Sequence, residues 1–204
     1  MALLIKKITI YINEIKMKKI IISLVVFIFA AIGCSDQASF ISPEDPTSTL
    51  KNLKLVELPK PQGSLSIAST ITKQKYIDGN NGGSFIEEFV YQSISGDVTI
   101  LSALVFPPNS FNNGETITQT FNTETASLEF GPAMVFNVPV TYTLTVSGID
   151  LSDLNPETLY FVYIAQDGTL TGVQYDDISI NYGSNSITVT NAQLNHFSRY
   201  GFVN

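Results

Sequence analysis

Residues 140–146 read Val-Thr-Tyr-Thr-Leu-Thr-Val, so Val140, Tyr142, Leu144 and Val146 alternate with Thr141, Thr143 and Thr145. A period of two places the apolar side chains on one face of an extended strand and the hydroxyls on the other. A helix would scatter the same residues around its axis, and β-branched and aromatic side chains favour the pleated form. The alternation recurs at Ile187-Thr188-Val189-Thr190 and around Ile117, and the apolar runs 98–106 and 159–165 are dense enough for central strands. No stretch after residue 40 sustains a helical period over a full helix.

The strands are separated by turn chemistry: Gly79-Asn80-Asn81-Gly82-Gly83, Pro107-Pro108-Asn109, Asn112-Asn113-Gly114, Asp167-Gly168 and Gly183-Ser184-Asn185. Short strands with such punctuation predict an all-β fold, an antiparallel β-sandwich over residues 63–204. Upstream, residues 34–62 are polar and contain Pro43, Pro46, Pro59 and Pro61, which oppose both helix and central strand. They predict a tether, about 3.1 Å long per residue where extended. Within it, Leu53 to Leu58 alternates in the manner of a short strand on the domain edge.

The N-terminal segment 1–33 is different in kind. Met17-Lys18-Lys19 precedes an apolar run from Ile20 to Ile32, then Gly33-Cys34-Ser35-Asp36. A basic start, a short apolar helix and a small residue before the cut make a signal peptide, and the run is shorter than the ~20 residues a spanning helix needs. Met17 is the expected start of that signal. Ala31-Ile32-Gly33-Cys34 resembles the lipobox of bacterial lipoproteins, which implies cleavage before Cys34 and acylation of its sulfur and new N-terminus. Such a protein would be held on the membrane through acylated Cys34. In that family's sorting logic for diderm bacteria aspartate directly after the cysteine favours the inner membrane, so with Ser35 there the resemblance implies the outer membrane, on its periplasmic or cell-surface face.

Charge agrees with two unlike segments. Five of the eleven bases precede residue 20, whereas from residue 76 onward Arg199 alone faces 13 acidic residues, a net −12. From Cys34 onward, 6 bases stand against 17 acids, a net −11. Phosphate neutralisation needs Lys and Arg in number, so nucleic acid is excluded as a partner. The chain has one cysteine, Cys34, and one histidine, His196. An intrachain disulfide is therefore impossible, and a zinc or iron site built on several such ligands is excluded.

A second resemblance spans most of the β region. Gly82-Gly83-Ser84-Phe85, the segment from Leu104 to Phe111, Phe130 to Phe136 leading into Pro139 to Leu144, and His196-Phe197-Ser198-Arg199-Tyr200 occur in the order found in ZU5-like domains. The resemblance implies a β-sandwich module of scaffold, receptor or surface proteins. Some ZU5 domains cleave themselves between Phe and Ser of the His-Phe-Ser triplet. Carried over, Ser198 Oγ would attack the Phe197 carbonyl, with His196 accepting the proton. In a continuous strand, by contrast, Phe197 would face the core, with His196 and Ser198 together on the opposite side.

Other chemistries have weaker support. No Gly-x-Ser-x-Gly elbow accompanies the histidine, which disfavours a serine hydrolase. Paired carboxylates for glycoside hydrolysis are available by composition, but 13 acids are equally a solvated surface. Asp150 and Asp153, like Glu87-Glu88 and Asp176-Asp177, would suit calcium chemically but lack the EF-hand spacing. Carbohydrate binding would need Tyr160, Tyr163 or Tyr175 in place of the absent tryptophan. The expectation is a non-enzymatic protein without cofactor, a lipid-anchored binding or scaffolding module for an envelope protein or glycan.

Overall fold

The computed structural model describes residues 50–63 and 70–204. The expected signal helix with Met17, the lipidation site Cys34 and the first part of the tether lie outside the described residues.

The chain forms β1 (Thr70–Asp78), β2 (Gly83–Ser93), β3 (Gly96–Phe106), β4 (Gly114–Asn122), β5 (Ser127–Gly131), β6 (Val135–Ser147), β7 (Tyr160–Ile164), β8 (Leu170–Gly172), β9 (Asp177–Asn181), β10 (Ser186–His196) and β11 (Arg199–Val203). The strands pair antiparallel in two sheets, ordered β1-β4-β5-β11-β7-β8 and β2-β3-β6-β10-β9. Apart from a 3-10 turn at Leu50–Asn52, no helix occurs among the described residues. The all-β, antiparallel expectation therefore holds there. The expected central strands are β3, between β2 and β6, and β7, between β11 and β8.

The sheets face each other across one core, in a sandwich-like arrangement. Val140, Tyr142, Leu144 and Val146 of β6 are fully buried, as the alternation requires, while the intervening threonines are half-buried on the other face. Opposite them lie Ile117 and Phe121 of β4, Leu128 and Phe130 of β5, Phe161 of β7 and Phe202 of β11. Phe89 meets Phe121 at 5.9 Å between centroids, and Phe130 meets Tyr142 edge-on at 5.1 Å. Each large side chain removed from water contributes roughly 1.5 to 3 kcal/mol.

One polar element crosses this core. Ser102 on β3 bonds Gln119 of β4 through its hydroxyl at 2.5 Å and lies 3.1 Å from the Tyr142 hydroxyl. Gln119 Nε2 donates to the Phe85 carbonyl at 3.2 Å. Fully buried, the three side chains would each be costly unpaired, so together they fix how the two sheets face one another.

Residues 50–61, inside the expected tether, are laid against the β domain. Leu50 packs on Val162, Ile164 and Val203 on the outer side of β7 and β11, forming a second small apolar cluster. Leu55 bridges to Val203, Glu57 to Thr125 and Pro61 to Ser93. Lys54 and Asn204 exchange backbone hydrogen bonds of 3.2 and 3.0 Å. Alternation between Leu53 and Leu58 supplies the buried Val56 and Leu58, and Pro59 and Pro61, which have no N–H, keep the contacts to isolated bridges.

The turn between β1 and β2 has a strict requirement. Gly82 has φ +73°, and a Cβ there would collide with the carbonyl of Phe106. Only glycine satisfies both conditions at once.

Buried tyrosines make the fold alkali-sensitive. Burial raises the Tyr91 hydroxyl from its ordinary value of 10.0 to about 12, and raises Tyr142 and Tyr200 further. The folded state thus favours the protonated phenol, so this contribution is complete below the ordinary value and is lost as pH climbs through the folded one. Alkaline titration should show phenolate absorbance from these residues appearing together with loss of β structure above pH 10.0.

Candidate functional site at the sheet crossover

The triplet His196-Phe197-Ser198 lies where the chain leaves one sheet for the other. β10 ends at His196 in the five-stranded sheet and β11 begins at Arg199 in the six-stranded sheet. Period two is broken by this crossover, so the three side chains go to three places instead of alternating between two faces. Phe197 fills the end of the core. It stacks on Phe130 at 5.4 Å and 25°, and meets Phe136 edge-on at 4.8 Å and Phe106 at 6.1 Å. His196 lines one cleft with Tyr163 and Gln174, and Ser198 lines another with Glu129 and Ala133.

Three backbone groups of the crossover are engaged. Phe197 N–H donates to the Met134 carbonyl at 2.8 Å, Phe130 N–H donates to the Ser198 carbonyl at 2.9 Å, and the Tyr200 hydroxyl donates to the His196 carbonyl at 2.7 Å. The last bond ties the corner to β11 from within the protein and resembles a tyrosine corner. Changing Tyr200 to Phe should cost about 1 kcal/mol, read by denaturant unfolding, by leaving that carbonyl unpaired.

Peptide cleavage at this bond would need a base within about 2.6 to 3.2 Å of the Ser198 hydroxyl. His196 and Ser198 face different clefts, and no hydrogen bond joins them among the described residues. Neither Phe197 nor Ser198 has a positive φ. The structure brings the triplet together in sequence but does not assemble it as a nucleophile and its base.

Asp150 and Asp153 sit in the loop between β6 and β7, on the rim of a cleft that also carries Lys54 and Glu57. Asp150 Oδ1 accepts the Ser152 N–H at 2.9 Å, and the hydrogen bonds from Ser152 hold its carboxyl below the ordinary range. No group of three or more His, Cys, Asp or Glu side chains suited to a metal occurs among the described residues. Of the other acids, Glu87 lies 3.8 Å from Lys73, and Asp176 accepts from Asn191 Nδ2 at 2.7 Å.

Tyr163 reaches the His196 cleft, its ring perpendicular to the imidazole at 4.8 Å. Tyr160 joins the small outer cluster and Tyr175 packs against the main core, so the candidate tyrosines do not form one platform.

Another feature was not anticipated from sequence. On the outer face of the five-stranded sheet, Ile86 and Val90 of β2 and Leu101 and Val105 of β3 are all about half exposed. Ile86 pairs with Ala103, while Leu101 and Val105 flank Ala103 along β3, so these side chains form an apolar patch, with Glu88 between Ile86 and Val90 and directly opposite Leu101. A parity rule finds it: burial of Phe85, Phe89, Ile100 and Leu104 forces the intervening residues outward.

Among the described residues no helix is long and apolar enough to cross a membrane. No family model, curated protein or solved structure matches the chain.

Proposed function

We propose that the protein is an outer-membrane lipoprotein, acylated at Cys34, whose ZU5-like β-sandwich is a non-catalytic binding module for another envelope protein. The apolar patch of Ile86, Val90, Leu101 and Val105 carries this reading. The surrounding region is strongly acidic, with a net −12 from residue 76 onward, and such a surface has no structural need for four exposed branched apolar side chains gathered around Glu88 on two paired strands. Exposed apolar area of this kind gains free energy when a partner covers it, and patches of contiguous apolar residues mark interaction sites. Acyl chains at Cys34 would hold the module at the membrane, where that partner is met.

The test is chemical crosslinking in intact cells followed by purification of the full-length protein. Val90→Lys together with Leu101→Lys should abolish a specific crosslinked product while the melting temperature stays within a few degrees, because both positions are exposed. An unchanged product would remove the patch from consideration.

A further inference from the structure

Away from the edge that carries β2, where β8 and the residues after it face the end of β10, lies the cleft beside His196. We infer that this cleft is a binding site for a neutral hydroxylated ring, that is, a carbohydrate. The inference is independent of the apolar patch, which belongs to the β2–β3 edge.

The cleft has a volume of about 400 Å³, within the range of small-molecule sites and with room for a sugar ring. Its wall chemistry selects the ligand class. Gln174, Gln193 and Asn195 bring amides, each both donor and acceptor, and Asp176, His196 and Tyr163 add a carboxylate, an imidazole and a phenol. Hydroxyl groups, which donate and accept in turn, match such a mixed set. Anions do not match it, because no Lys or Arg lines the cleft and Asp176 repels them. A lipid tail is disfavoured because the walls are mainly polar. Tyr163 and His196 supply aromatic surface for the apolar face of a ring.

Local backbone irregularities coincide with these residues. β10 slips register against β6 twice, between Val189 and Ala192 and between Leu194 and His196, and Asn191 has φ +53°. Bulges of this kind re-aim side chains next to binding sites. Beside the first, the Gln193 backbone N–H donates to the Gln174 carbonyl at 2.8 Å and Asn191 Nδ2 donates to the Asp176 carboxylate at 2.7 Å. The second lies at Asn195, itself a cleft residue.

Saturation-transfer NMR on the full-length protein in detergent micelles tests the assignment, with glucose, galactose and N-acetylglucosamine as neutral probes and glucuronate as the anionic one. Transfer to ring protons of at least one neutral sugar is expected, with none to glucuronate. Gln174→Ala combined with Asn195→Ala, both exposed positions, should weaken binding by about tenfold or more. Thr171→Trp, which fills the cleft instead of removing groups, should do the same, whereas Leu101→Lys should leave binding unchanged. Absence of transfer to all the neutral sugars, equal transfer to glucuronate, or binding indifferent to both cleft variants would overturn the inference.

Discussion

Replacement of Phe197 by alanine is expected to destabilise the domain by about 3 to 5 kcal/mol, the cost of deleting a buried aromatic and leaving a cavity. For a domain of this size the melting temperature should fall by roughly 6 to 20 °C. The magnitude follows from position: Phe197 is 4 % exposed and touches Phe130, Phe136 and Phe106, whose rings close one end of the space between the sheets. Those partners belong to both sheets, Phe130 to β5 beside β11 and Phe136 to β6 beside β10, so neighbouring groups cannot collapse into the gap without moving the corner. Ser198→Ala should behave differently. Its carbonyl, not its hydroxyl, takes the Phe130 N–H, so the substitution should change stability by less than about 1 kcal/mol. Thermal melts of the two variants distinguish a triplet held for packing from one held for chemistry. A large loss for Phe197→Ala and a small one for Ser198→Ala is the expected pair.

Replacement of Cys34 by serine should move the protein from the membrane fraction to the soluble envelope fraction and abolish incorporation of radiolabelled palmitate. Each buried CH₂ contributes about 0.8 kcal/mol, so several acyl chains retain a protein firmly where a single one is marginal. The acidic domain supplies no second membrane signal: with Arg199 the only base after residue 75, it is repelled by anionic lipid. The change should therefore be close to complete, measured by fractionation and immunoblotting. Retention of the serine variant on membranes would show that something other than the lipid holds it.

Much of the fold was legible because half-buried strands announce their parity. Val140 to Val146 gave the buried face of β6 directly. Continuous apolar runs carry no parity, and there the sequence was ambiguous: in Ile100-Leu101-Ser102-Ala103-Leu104 it is Leu101 that faces out and Ser102 that enters the core to meet Gln119. Reading outward from fixed neighbours resolves this, but only once β2 and β3 are known to pair in register. The triplet at 196–198 was visible as a motif, yet its side-chain directions depended on a crossover between sheets that no local pattern encodes. The cleft was partly foreshadowed. Apolar positions in β10 switch from odd at Ile187 and Val189 to even at Ala192 and Leu194, the trace of a bulge in sequence. Which residues then converge with Gln174 and Tyr163 depends on residues 173–176 passing the end of β10 beside β7, a long-range fact. Residues 50–61 show the same limit, since proline-rich chain reads as a tether whether or not a neighbouring sheet offers Leu50 a place to pack.

The central claim is a lipid-anchored, uncleaved binding module, and intact-mass spectrometry of the protein extracted from membranes addresses both halves at once. The predicted result is a single species beginning at Cys34, heavier than its peptide mass by a diacylglyceryl group and an acyl chain, with the residues after Phe197 still attached. An unmodified Cys34, or a chain ending at Phe197, would contradict it.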